Sequence, residues 1–226
     1  MSEQSAGADK SSYPELAEAA TLVRFYLDAL RAADVAGAYK VATGALDRGM
    51  TLAALYQRVI GPAMHELGRL WAKGAITVAD EHLATGLTHR VLAALRPPEA
   101  FEQVLDPSSD TPRALLAAVP GEHHALGLRM AADLLEDRGY QIAYLGADVP
   151  AEALLRSVDT LSPDLLGLTA TMPDSTRRLE AVVEAVRSEH PRLRLLLGGQ
   201  GSRSPRLDEG TVIENLELLP EALPPS

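Results

Sequence analysis

Apolar positions change their rhythm once along this chain. Up to about residue 96 they recur every three or four places, the spacing of one face of a helix. Leu16, Ala19, Ala20, Val23, Tyr26, Leu27 and Leu30 share a face in a first helix. Ala36 to Leu46 forms a short second helix, ended near Gly49. Thr51 caps a third, whose stripe of Leu52, Leu55, Val59, Ile60, Met64, Leu67 and Leu70 runs to Gly74. Pro62 should kink or distort it, because proline lacks an N–H and crowds the preceding turn. Thr77 caps a fourth, with Val78, His82, Leu83, Leu87, Val91, Leu92 and Leu95 on one face. Four helices with short links predict a bundle.

Pro97 to Pro112 is rich in Pro, Ser, Asp and Glu and reads as a linker. Beyond it the apolar residues gather into short runs: Ala114–Val119, Gln141–Leu145, Leu165–Thr169 and Leu193–Leu197. Helical patterns lie between them at Leu128–Arg138, Ala151–Leu161 and Ser175–Glu189. That alternation predicts a parallel, doubly wound sheet with right-handed crossovers. Val212-Ile213 begins a short fifth strand, and Leu219 to Ser226 reads as a frayed end. The expected layout is therefore all-α followed by α/β. It comprises a leader (1–12), a four-helix bundle cap (13–96), the linker (97–112) and a Rossmann-like, flavodoxin-like parallel-sheet domain (113–226).

Composition narrows the chemistry. The chain has no cysteine, which excludes disulfides, thiolate metal sites and any cofactor tethered through sulfur. The formal net charge of -10 opposes direct nucleic-acid binding, which needs clustered Lys and Arg. No apolar run approaches the ~18 residues of a membrane span. A cytoplasmic protein that touches neither membrane nor nucleic acid is the expectation.

Three features fall beyond the carboxyl ends of predicted strands, where open parallel sheets bind ligands. The first is Gly121-Glu122-His123-His124-Ala125-Leu126-Gly127 after strand one. A loop histidine with a carboxylate two residues before it suits an axial metal ligand, since the carboxylate can take the proton of the other ring nitrogen. Gly127 lets a bulky planar group approach the backbone. The second feature is Thr169-Ala170-Thr171, and the third is Gly198-Gly199-Gln200-Gly201. Each has a plain reading as well: a solvated loop histidine, a strand end, a turn. Gly199-x-Gly201 is not a dinucleotide fingerprint, because it follows the fourth strand and lacks a third glycine. Asp133, Glu136 and Asp137 read as a solvated acidic face.

Together, Glu122-x-His124-x-x-Gly127, Thr169-x-Thr171 and Gly198-Gly199 resemble the Asp-x-His-x-x-Gly, Ser-x-Leu/Thr, Gly-Gly signature of base-off/His-on cobalamin-binding domains. Gly146-Ala147-Asp148-Val149-Pro150 is also similar to that family. The resemblance implies that His124 replaces dimethylbenzimidazole as the lower ligand of cobalt, with His123 as its rival. It implies that the displaced nucleotide tail lies near Thr169, Thr171, Gly198 and Gly199, and that Asp148 and Val149 belong to the site. Glu122 stands where the family usually has Asp.

Leu67-Gly68-x-x-Trp71-x-x-Gly74-x-Ile76, followed by Glu81-His82, resembles the cap bundle of CarH/LitR-type cobalamin photoreceptors. That resemblance makes Trp71, Glu81 and His82 candidates for the upper face of the cofactor. Trp71 reads equally well as bundle core, and Glu81-His82 as a surface pair at a helix start. Those photoreceptors carry a DNA-binding helix-turn-helix that is not found in these residues, and often a histidine where Ala72 stands here. His65 and His82 are the remaining candidates for that capture. The implied function is a light sensor without catalytic turnover. It would use cobalamin, as adenosylcobalamin, and act on a protein partner or as a homo-oligomer. The layout also resembles photocobilins, which add a bilin; with no cysteine, biliverdin or another bilin would be noncovalent. The competing reading is the corrinoid carrier of a methyltransferase system.

Overall fold

The computed structural model describes residues 12–101, 105–106, 109–204, 206–207 and 210–223. The chain divides into two compact units, Met1–Leu95 and Arg96–Ser226. Of the expected leader, residues 1–11 lie outside the described residues.

The first unit packs α1 (Ser12–Arg31), α2 (Val35–Asp47), a continuous helical rod and α5 (Val78–Leu95) on one another. The rod runs through α3 (Leu52–Leu55), a π-helical turn (Tyr56–Ile60) and α4 (Gly61–Ala72). Thr51 Oγ1 accepts from Ala54 N–H at 3.1 Å and starts it. The π turn is the distortion expected of Pro62. With no N–H at that position, the ladder widens by one residue, and Gly61 N–H bonds Tyr56 C=O instead. Thr77 and Asp80 cap α5 reciprocally: Asp80 N–H donates to Thr77 Oγ1 at 3.2 Å, and Thr77 N–H to Asp80 Oδ2 at 2.8 Å. Tyr26, fully buried, donates its hydroxyl to Thr88 Oγ1 at 3.4 Å, and Thr88 reaches Met64 Sδ at 3.3 Å. Burial pushes the Tyr26 phenol up to about 12, against a smaller downward pull from Thr88. Along α5 the fully buried positions begin at Ala84. Val78, His82 and Leu83, expected on the apolar stripe, are exposed. Periodicity finds a face but not the point where a helix outruns its neighbours. On α1 the inward position is Leu22, while Ala20 is exposed.

The second unit is a five-stranded parallel sheet in the order β2-β1-β3-β4-β5. Its strands are β1 (Arg113–Ala118), β2 (Gln141–Gly146), β3 (Leu165–Thr169), β4 (Arg194–Gly198) and β5 (Thr211–Ile213). The crossovers carry α6 (Leu126–Glu136), α7 (Ala151–Leu161) and α8 (Pro173–Glu189). β3 is buried throughout and β1 after its first residue, as continuous apolar runs require when helices cover both faces. Leu115, Leu166, Leu168, Leu179, Val183 and Leu197 anchor one core cluster.

Two expectations fail here. The C-terminal stretch read as frayed instead forms α9 (Leu219–Ala222), which packs on α6; Leu219 and Leu223 are buried. Residues 224–226 lie outside the described residues. The acidic face is likewise only partly solvated: Asp133 is buried, Glu136 is largely covered and Asp137 stays exposed, and all three surround the buried Arg96. Arg96 reaches Asp137 at 2.8 Å and Glu136 at 3.2 Å. Burial raises the Glu136 carboxyl, with Arg96 pulling the other way.

Among the described residues, no helix is long and apolar enough to cross a membrane.

Candidate functional site

In this strand order the connections leaving β1 and β3 diverge, which makes the carboxyl edge between them the place where open parallel sheets bind ligands. Glu122 sits there. Its side chain is fully buried, yet each of its oxygens is used. Oε1 accepts from His124 N–H at 2.9 Å and lies 2.6 Å from His124 Nδ1. Oε2 accepts from the backbone N–H groups of Thr171 at 2.7 Å and Met172 at 3.1 Å. One carboxylate thus joins the loop after β1 to the loop after β3.

This explains the charge state of Glu122. Burial alone would raise its carboxyl. The N–H groups of His124, Thr171 and Met172, then the His124 ring, outweigh burial and hold it at about 2. An ionised carboxylate on Nδ1 keeps the imidazole proton there and leaves the Nε2 lone pair for a ligand. His124 is exposed, so that nitrogen is accessible. His123, its rival, is also exposed, and the Glu122 carboxylate pairs with His124.

Gly127 lies in the first turn of α6, and a Cβ built there would meet nothing within 4 Å. No protein neighbour demands a glycine at that point; the open space suits a ligand pressed against the helix. Gly199 is the opposite case. Its φ is +85°, and a Cβ would lie 2.3 Å from the Ala170 carbonyl oxygen. Only glycine fits there, and it brings the end of β4 against the end of β3. Thr169, also buried, donates its hydroxyl to Gly198 C=O at 3.3 Å and holds the same junction. Thr171 is partly exposed beside it.

Asp148 serves the loops. Its Oδ1 accepts from Gly121 N–H at 2.6 Å, and its own N–H donates to Glu122 C=O at 2.9 Å. The Val149 side chain is buried in the sheet core, and its N–H bonds Ala118 C=O, so this residue turns inward from the edge.

The other candidates lie in the helical unit. Trp71 is 49% exposed, which removes its reading as bundle core. His82 Nδ1 lies 2.6 Å from Glu81 Oε2, and Glu81 Oε1 accepts from Thr85 at 2.8 Å. Val78 and Leu83 are exposed on the same helix.

Sequence reasoning missed Met172. Met172 contributes a backbone N–H to Glu122 while its side chain is half-exposed. Backbone donors leave no mark on residue type, so no sequence signal could have found it.

Residues 112–213 match a family model described as B12 binding domain, and residues 22–96 match a second model of the same description. Both units thus carry a match of this description, and the matches support a cobalamin-binding family. The chain is similar to two regulators from Myxococcus xanthus. The HTH-type transcriptional repressor CarH is 33% identical over 150 residues, covering 66% of this chain and 48% of the repressor. CarA, another HTH-type transcriptional repressor, is 32% identical over 143 residues, covering 63% and 46%. The chain therefore spans about half the length of the curated relatives it matches. The solved monomethylamine corrinoid protein of Methanosarcina barkeri shares the fold at 18% identity and a TM-score of 0.71, covering 89% of this chain and 96% of that one.

Proposed function

We propose that this cobalamin-binding chain is a light sensor with His124 as the lower ligand of cobalt. The observation that carries the ligand assignment is the Glu122 carboxylate, which holds Nδ1 of an exposed His124 at the sheet's switch point. Bound cobalamin supplies a corrin that absorbs visible light and an upper cobalt bond that light can break. Glu122 orients the imidazole and keeps its proton on Nδ1. Gly127 leaves room beside the helix, and Thr169, Thr171, Gly198 and Gly199 border the space assigned to the nucleotide tail. Asp148 shapes the loop that carries Glu122.

Trp71, Glu81 and His82 are assigned to the upper face from the sequence pattern, and the exposure of Trp71 is what that role requires. The upper group in this reading is adenosyl. A noncovalent bilin such as biliverdin is an optional second chromophore. The output is a changed contact with a protein partner or a second copy. It needs upper-face contacts that differ in free energy between dark and light states. The polypeptide catalyses no turnover.

The test is reconstitution with adenosylcobalamin in the dark, followed by green light. Spectrum and hydrodynamic radius are both expected to change on illumination, and His124→Ala to abolish nitrogen ligation of the cobalt. Identical dark and light behaviour would end the sensor reading. If a methyltransferase then methylated the bound corrinoid, the chain would be a corrinoid carrier.

A further inference from the structure

The β1–β2 pairing slips by one residue. Leu116 lies opposite Tyr144, but Ala117 lies opposite Gly146, so Leu145 bulges out, 39% exposed. Bulges beside functional sites re-aim side chains. Here the neighbour is Tyr144, whose hydroxyl donates to the Ala125 carbonyl at 3.2 Å. Ala125 directly follows His124 and is the N-cap of α6, where its own side chain caps nothing. Its carbonyl also accepts the Arg129 N–H at 2.9 Å, so the two bonds use both lone pairs. The Arg129 guanidinium stands 6.0 Å from the Tyr144 ring centroid and is tied to the buried Asp133 at 2.7 Å. Burial raises the Tyr144 phenol, so it remains a donor at neutral pH.

We infer that Tyr144 is a positioning residue for the cobalt ligand: it fixes the backbone just after His124 while Glu122 fixes the ring. This rests on the reading of His124 as the lower ligand. Asp148 holds the loop before His124, but after His124 the Ala125 carbonyl is otherwise held only by the Arg129 N–H, so without the Tyr144 hydroxyl that end can shift. The bond from the edge strand removes that freedom, and Arg129 steadies the ring that makes it.

The test is Tyr144→Phe in the full chain, which deletes one oxygen and keeps the ring. Three readouts are taken: cobalamin affinity, nitrogen splitting in the electron paramagnetic resonance spectrum of bound cob(II)alamin, and the apoprotein melting midpoint. Loss of a single hydrogen bond predicts affinity about five-fold weaker. A fraction of the bound cofactor should lack nitrogen splitting, while the melting midpoint stays close to wild type. Arg129→Gln keeps the hydroxyl but frees the ring, and should give the same defect at smaller size. Wild-type affinity and full splitting in both variants overturn the inference. So does a loss that merely tracks a lowered melting midpoint. If splitting instead survives in His124→Ala, the ligand assignment is at fault rather than the role of Tyr144.

Discussion

At the scale of single residues, Glu122 is the group on which the site turns. It stands where the resembling family usually has aspartate, and its carboxylate reaches both His124 and the N–H groups after β3. The sign of its pH effect follows from its position. The carboxyl falls from its ordinary 4.5 to about 2 on folding, so its contribution to stability is complete above about 4.5 and disappears as pH falls to about 2. Between pH 7 and pH 3 that loss is about 2 kcal/mol. Glu122→Gln should be less stable at pH 7 by about 3 kcal/mol, because an amide nitrogen must face N–H donors. Its urea midpoint should fall less between pH 7 and pH 3 than that of wild type. Equal falls in the two proteins would mean that Glu122 is not the group being protonated. The pairing of Glu122 with His124 was legible from their spacing. The N–H groups of Thr171 and Met172, nearly fifty positions away, were not.

At the scale of elements, the sheet and its loops decide which glycines the fold requires and which it leaves free. Gly199→Ala places a Cβ against the Ala170 carbonyl at a left-handed φ, so the β3–β4 junction must open. A cost of about 3 kcal/mol is expected, read as a lowered urea midpoint without cobalamin. Gly127→Ala meets nothing and improves helix propensity in α6. The apoprotein should be unchanged or more stable by up to about 1 kcal/mol, while cobalamin affinity falls. If the alanine variant bound cobalamin as well as wild type, the open space at Gly127 would not belong to the cofactor. Helix and strand positions were largely legible, because 3.6-residue stripes and short apolar runs rarely mimic each other over a whole element. The β2 bulge was not, since register slips arise from pairing between strands and not from either strand alone.

At the scale of the whole molecule, the two units meet in sequence at Arg96, the first residue of the second. It is buried among Asp133, Glu136 and Asp137, so a run that reads as a solvated acidic face holds an arginine on its buried side. Arg96→Met should cost about 3 kcal/mol, measured as a drop in the urea midpoint, because the buried Asp133 and the largely covered Glu136 lose a countercharge. A near-neutral effect would show that water reaches those acids once the arginine is gone. The sequence by itself determined the helical unit, the parallel sheet, their order and the proximity of Glu122 to His124, because these depend on periodicity and on neighbours a few residues apart. Only the tertiary structure decided that Glu122 spans two loops, that Tyr144 reaches the backbone beside His124, that Trp71 faces outward and that an acidic run encloses an arginine. Each of those depends on which distant backbone groups and side chains folding brings within hydrogen-bond range, and burial then sets their charge.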